Sequence, residues 1–163
     1  MLDKITREMI FYFNNDVRRI NHALKVFSFC QTIGSLEQLG EREQLIVCLS
    51  GILHDIGIKE AERKYNSSAG TYQEREGPAI ARSILEKYEA DNELIERVCF
   101  IVGHHHTYGI IDGIDFQILV EADFIVNIFE DEMDSAAVSS IEGKYFKTAA
   151  GTELLEKMYF RYT

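Results

Sequence analysis

Five histidines occur in the sequence, in three places: His22, His54 and the run His104-His105-His106. His54 stands beside Asp55 in the middle of Leu49-Ser50-Gly51-Ile52-Leu53-His54-Asp55-Ile56-Gly57, an apolar run that should be buried. A second carboxylate, Asp123, is embedded in Ile118-Leu119-Val120-Glu121-Ala122-Asp123-Phe124-Ile125-Val126. Burying a carboxylate is costly unless it is paired or holds a metal. Imidazole together with carboxylate suits a divalent transition metal (Mn, Fe, Co, Ni or Zn), and a mixed nitrogen and oxygen set does not select sharply among them. Each residue alone has a blander explanation: a helix-end ion pair for His54-Asp55, an arginine partner for Asp123, a complement to a helix dipole for the histidine run. One metal site, its ligands arriving from separate helices, accounts for all of them together.

The elements that must deliver these side chains read as helices throughout. With one proline, Pro78, and no tryptophan, the sequence has few breakers, and glycine does the punctuation. Ile5 to Phe13 carries apolar residues at helical spacing. Asn14-Asn15-Asp16 is a cap signal for a helix over Val17 to Ile33, which Gly34 is expected to end. Glu41 to about Asp55 forms the next. Gly57 to Tyr72 is the least regular part, a loop with Asn66 to Thr71 at its centre, and loops of this length are often functional. Helix resumes over Gln73 to Tyr88, with Pro78 compatible with its first turn. Asn92 to Gly103 and Phe116 to Glu130 follow, separated by a Gly-containing loop, and 136–162 holds one or two more. No strand is convincing. The expectation is one all-α domain over 1–163, a helical bundle with the metal site between helices.

Composition narrows the function. Lys plus Arg number 17 against 27 Asp plus Glu, a formal net charge of −10, which argues against a nucleic-acid polymer or an anionic membrane as partner. It leaves room for a small phosphorylated substrate, whose charge a metal and a few local cations offset. No apolar stretch reaches the roughly 20 residues of a membrane span, and the first residues lack a signal-peptide layout, so the cytoplasm is the expected location. Cys30, Cys48 and Cys99 sit singly in apolar runs and read as buried free thiols. A homodimer is compatible with this pattern, and so is a monomer.

In order along the chain, His22, His54-Asp55, the His104-His105 pair and Asp123 resemble the H…HD…HH…D pattern of the HD-domain superfamily, most sharply in Leu-His-Asp-Ile-Gly and Glu-Ala-Asp-Phe-Ile-Val-Asn. The resemblance spans roughly Asp16 to Asn127. It implies an all-helical, metal-dependent phosphohydrolase. His22, His54, Asp55 and Asp123 then become the metal ligands, and Asp55 also orients the attacking water. Asn127, four residues after Asp123, is placed to orient it. Superfamily members with two metals supply a further histidine where this chain has Gln73. That weakens a second site here, with Glu74 or Glu76 as a substitute oxygen ligand. His104 and His105 are expected to hold a weaker second metal or to contact the leaving group, and His106 to be structural.

For the reaction, Glu74 or Glu76 is the candidate general base or acid. Arg18, Arg19, Lys59 and Arg63 are candidates to meet phosphate charge, with Arg18 and Lys59 better placed. Residues 59–71 are expected to shape the pocket, where Tyr65 and Tyr72 could stack on a base. Nucleotides and small phosphate esters both fit these requirements. Two other functions share the ligands: a non-catalytic nucleotide- or metal-binding regulator, and a di-iron oxygenase, which the resemblance also admits and Gln73 disfavours.

Overall fold

Asp16 starts the longest helix. In the computed structural model, which describes residues 1–160, its carboxylate accepts the Arg19 backbone N–H at 3.2 Å, the capping interaction expected from its sequence. Helix α1 (Leu2–Phe13) precedes it. Helix α2 (Val17–Leu36) packs on α3 (Glu41–Leu53) and on α7 (Ile114–Glu130). These three helices carry His22, His54 and Asp123 to one place. α2 does not stop at Gly34 as expected; it runs on to Leu36, and Gln38 takes the left-handed conformation at φ 58°. Inside the helix Gly34 lies against the Gln44 side chain, whose terminal oxygen a Cβ would approach to 2.4 Å.

Every residue of α3 from Ile46 to Leu53 is buried, so this stretch is apolar all round instead of striped. It ends at Leu53, and residues 54–57 form a tight turn in which the His54 N–H bonds the Ser50 carbonyl at 2.8 Å. The segment after it corrects the expected long loop. α4 spans Ile58–Tyr65 and α5 spans Gly70–Glu86, leaving only 66–69 as loop. α4 buries just Ile58 and Ala61, and its charged residues pair on its surface, Arg63 with Glu60 at 2.8 Å within the helix and Glu62 with Arg19 of α2 at 2.6 Å. Two apolar contacts in a short helix give too little periodicity to read. Because α5 begins at Gly70, Pro78 lies in the helix interior and not in its first turn.

α6 (Asn92–Val102) is capped by Asp91, which accepts the Leu94 N–H at 3.0 Å. A turn over 103–106 and a short 3-10 turn, Tyr108–Ile110, lead into α7. Two helices close the described chain, α8 (Ser135–Tyr145) and α9 (Ala149–Tyr159). Glu121, the other acid in the apolar run of α7, is fully buried and accepts the N–H groups of Lys147 and Thr148 at 2.7 and 2.9 Å. Its charge is thus spent on tying the start of α9 to α7. Among the described residues there are nine α-helices and no strand, packed around one apolar core, so the fold is all-α as expected. The three cysteines are buried and free.

Candidate metal centre

His22 projects from the middle of α2, His54 and Asp55 from the turn that ends α3, and Asp123 from the middle of α7. Four atoms converge. His22 Nε2 lies 3.1 Å from His54 Nε2, 3.2 Å from Asp123 Oδ1 and 3.6 Å from Asp55 Oδ2. His54 Nε2 is 3.6 Å from both carboxylates. Ligands held at about 2.1 Å from one ion stand about 3.0–3.4 Å apart; the spacings of 3.1 and 3.2 Å fall in that range and those of 3.6 Å lie just beyond it, so small side-chain shifts would close the set on a divalent ion.

Protons support the same conclusion. His54 Nδ1 faces the Gly51 carbonyl at 2.9 Å, and His22 Nδ1 faces Glu130 Oε2 at 2.9 Å. A carbonyl and a carboxylate can only accept, so in both rings Nδ1 carries the hydrogen and a neutral ring turns the lone pair of Nε2 inward. Two such lone pairs at 3.1 Å require a cation between them, either a proton or a metal. A third imidazole repeats the arrangement: His105 Nδ1 donates to the Val102 carbonyl at 2.8 Å, while its buried Nε2 has no hydrogen-bond partner and points to Asp55 Oδ1 at 3.5 Å. An orphaned ring nitrogen aimed at a buried carboxylate fits a ligand awaiting an ion.

His105 belongs to a second group with Asp55 and His106. This corrects the expected pairing of His104 with His105. As the chain leaves α6, the His104 ring folds back on Phe100, with Nδ1 on the Phe100 carbonyl at 2.7 Å, and joins neither group. His106 turns inward instead, its Nε2 3.4 Å from Gln73 Oε1, in space left by Gly70, where a Cβ would lie 2.6 Å from the ring. Burial and the neighbouring His105 push the His106 pKa down to about 4, so the ring is neutral and able to ligate near pH 7. Gln73 is held by its own amide, which donates to the Ser68 carbonyl at 2.7 Å.

The electrostatics match a cation site. Burial opposes ionisation of Asp55 and Asp123, but the imidazoles around them hold both carboxyls below the usual range. The His54 pKa is lowered as well, by complete burial, which favours the neutral ring. For His22, burial would lower the pKa, but Asp123, Asp55 and Glu130 outweigh it and raise it to about 9 from 6.5. In the metal-free protein that gain is fully present below pH 6.5 and is lost as pH rises through about 9. The His22 contribution to the unfolding free energy of the metal-free chain is therefore expected to fall by about 3 kcal/mol across this window, and His105, raised by Asp55 against its burial, adds to the decline in the same sense. With metal in place of the proton the decline should disappear. Denaturant unfolding at both pH values, with chelator and with metal, checks this; equal slopes in the two series would contradict it.

The catalytic assignments fare unevenly. Gln73 takes the inward side of α5, which turns Glu74 and Glu76 away, and neither lines the cleft above the ligands. Glu74 accepts from the His106 N–H at 2.9 Å and from the Thr107 hydroxyl at 3.0 Å, bracing the turn that carries the histidines. Glu76 binds Lys64 and the Tyr65 hydroxyl. Lys59 is also out of place, with Nζ on the Tyr12 carbonyl at 2.8 Å. Arg18 and Arg19 do line the cleft; Arg19 is committed to Asp16 and Glu62, whereas the Arg18 side chain is 79% exposed, its nearest acid Asp131 at 4.0 Å. Tyr65 and Tyr72 stack on each other with centroids 4.2 Å apart. Asn127 donates to Asp123 Oδ1 at 2.9 Å, as its spacing suggested. Glu130 was missed, although it lies seven residues after Asp123 on the same face of α7.

An all-helical bundle presenting an ordered His, His-Asp, Asp set at its centre defines a class, and comparison with known families agrees. The HD domain family matches residues 19–149, and the chain belongs to that family. Membership supports a metal-dependent hydrolase in general. The crystal structure of a predicted HD superfamily hydrolase from an uncultured Thermotogales bacterium shares the fold, with a TM-score of 0.65 at 20% identity over 96% of this chain and 81% of that one. No curated protein matches the sequence. Among the described residues, no helix is long and apolar enough to cross a membrane.

Proposed function

We propose that this chain is a metal-dependent phosphohydrolase acting on a small phosphate ester. The observation that carries the reading is the convergence of His22, His54, Asp55 and Asp123 at ligand spacing, with His22 and Asp55 forming part of the floor of an open cleft of about 290 Å³. A divalent ion held by these four would supply Lewis acidity toward a phosphoryl oxygen and a more acidic water. Asp55 lies between the His22–His54 pair and His105, where its carboxylate would help orient the attacking water. His105 and His106 face it from the other side, where they hold a second ion or meet the leaving group. Arg18, exposed at the rim and held only by Asp131 at 4.0 Å, offers the phosphate a cation.

The cleft wall favours an ester without a nucleobase. Ile58 is its single apolar residue among those described; Asp16, Ser68, Asn127 and Asp131 present polar groups suited to a hydroxylated alcohol. A base stacked on an aromatic ring gains about 1–3 kcal/mol, and the nearby Tyr65 and Tyr72 are spent on each other. Ribose phosphate and adenosine monophosphate make a matched pair, differing only in the base. Phosphate release with Mn, Fe, Co, Ni, Mg or Zn is expected to give kcat/KM for ribose phosphate at least equal to that for the nucleotide. A nucleotide preference of tenfold or more would overturn the base-free reading. Tight metal binding with no phosphate released from any ester would overturn the hydrolase itself in favour of a regulator, and oxygen-dependent turnover would point to an oxygenase.

A further inference from the structure

Three of the inward-facing imidazoles, His22, His54 and His105, are fixed in two different ways. His54 and His105 each donate Nδ1–H to a backbone carbonyl three residues earlier, at 2.9 and 2.8 Å. Those acceptors are neutral and come with the local fold. His22 sits mid-helix, where the carbonyls of α2 are taken by the helix itself. Its Nδ1 reaches across to α7 and a charged side chain, Glu130 Oε2, at 2.9 Å. The other Glu130 oxygen is held by Lys25, one turn along α2 from His22. The Glu130 side chain is 14% exposed and that of Lys25 46%, so the link runs from the buried cluster out to solvent.

We propose that Glu130 is the positioning residue of the metal centre, holding His22 with Nε2 inward. This rests on the metal-centre reading above and assigns a role to a residue outside the ligand set. The face of α7 then has three tasks in succession: Asp123 ligates, Asn127 orients Asp123 at 2.9 Å, and Glu130 orients His22 from the adjacent helix. A carboxylate behind a ligating histidine fixes ring and tautomer and raises its basicity as a ligand; losing such a partner typically costs about 10–100-fold in metal affinity.

The test is metal affinity by chelator competition, using zinc as the probe on the full chain. Glu130→Gln and Glu130→Ala are expected to weaken zinc binding by about 10–100-fold, with the alanine variant weaker. Lys25→Met keeps the Glu130–His22 bond and should stay within about threefold of the parent. Nitrogen-15 spectra of the zinc-loaded parent should show His22 protonated at Nδ1, a signal that exchanges rapidly with solvent in Glu130→Ala. Unchanged affinity in both Glu130 variants would overturn the proposal. So would an equal loss in Lys25→Met, which would assign the effect to the α2–α7 seam and not to the imidazole. Melting of the metal-free variants separates misfolding from lost orientation, and Glu130→Gln, similar in shape, covers the case in which the alanine variant fails to fold. Absence of zinc binding in the parent would instead remove the metal-centre reading itself.

Discussion

Asp55→Ala should abolish metal-dependent phosphate release, with a loss of at least a hundredfold, because removing even an outer partner of a metal ligand costs about 10–100-fold. Asp55 is the residue common to both ligand groups. Oδ2 faces His22 and His54 at 3.6 Å, and Oδ1 faces His105 at 3.5 Å. Without it His105 loses the group its Nε2 points to, and the first group keeps only one carboxylate to offset a divalent charge. The fold should survive. Asp55 sits in a turn after α3, and taking away a buried carboxylate in the metal-free chain also removes its desolvation cost. Asp55→Asn, which preserves shape and halves the oxygen count, should fall between parent and alanine. Phosphate release measured beside near-ultraviolet circular dichroism distinguishes the outcomes; substantial activity in a folded Asp55→Ala protein would mean that the chemistry lies elsewhere.

The largest stability effect is expected two residues later. A Cβ on Gly57 would stand 2.4 Å from the Gln73 carbonyl oxygen and 2.7 Å from the Gly77 backbone nitrogen. These are backbone atoms, so no flexible side chain can yield. The φ of Gly57 is −74°, which any residue adopts, and the requirement is therefore space alone. Gly77 shows the same economy, since a Cβ there would lie 2.8 Å from Val102. Overpacking a core usually costs about 1–3 kcal/mol and sometimes more; with α5 forced off the turn, Gly57→Ala should reach the upper part of that range or exceed it. It should also weaken metal binding, because the turn that moves carries His54 and Asp55. Denaturant unfolding and zinc competition on one preparation test both, and a variant as stable as the parent would show that α4 and α5 can separate without harm.

The site was legible where chemistry conflicted with environment. His54, Asp55 and Asp123 stand out because ionisable groups interrupt runs that should be buried, and His22 because its helix repeats apolar residues around it. α2 and α6 were legible from their apolar periodicity, and α7 from its nearly unbroken apolar run. What was lost depended on direction, which spacing alone does not give. Within the run His104-His105-His106, a turn decides which rings face inward, and the small residues that admit His106, chiefly Gly70, are distant in sequence. Glu74, Glu76 and Lys59 looked well placed until Gln73 took the inward side of α5 and Tyr12 took the lysine. α4 hid behind its charges. Glu130 belongs to a different kind of omission: its spacing from Asp123 and Asn127 was visible, but its partner on α2 was not.

The central claim is that His22, His54, Asp55 and Asp123 together bind a divalent metal. Elemental analysis of the purified chain after exposure to metal and exhaustive dialysis tests it most directly, with His54→Gln and Asp123→Asn treated alongside. At least one ion per chain in the parent, and far less in both variants, is the predicted result. A parent that retains none, or variants that retain as much as the parent, would contradict it.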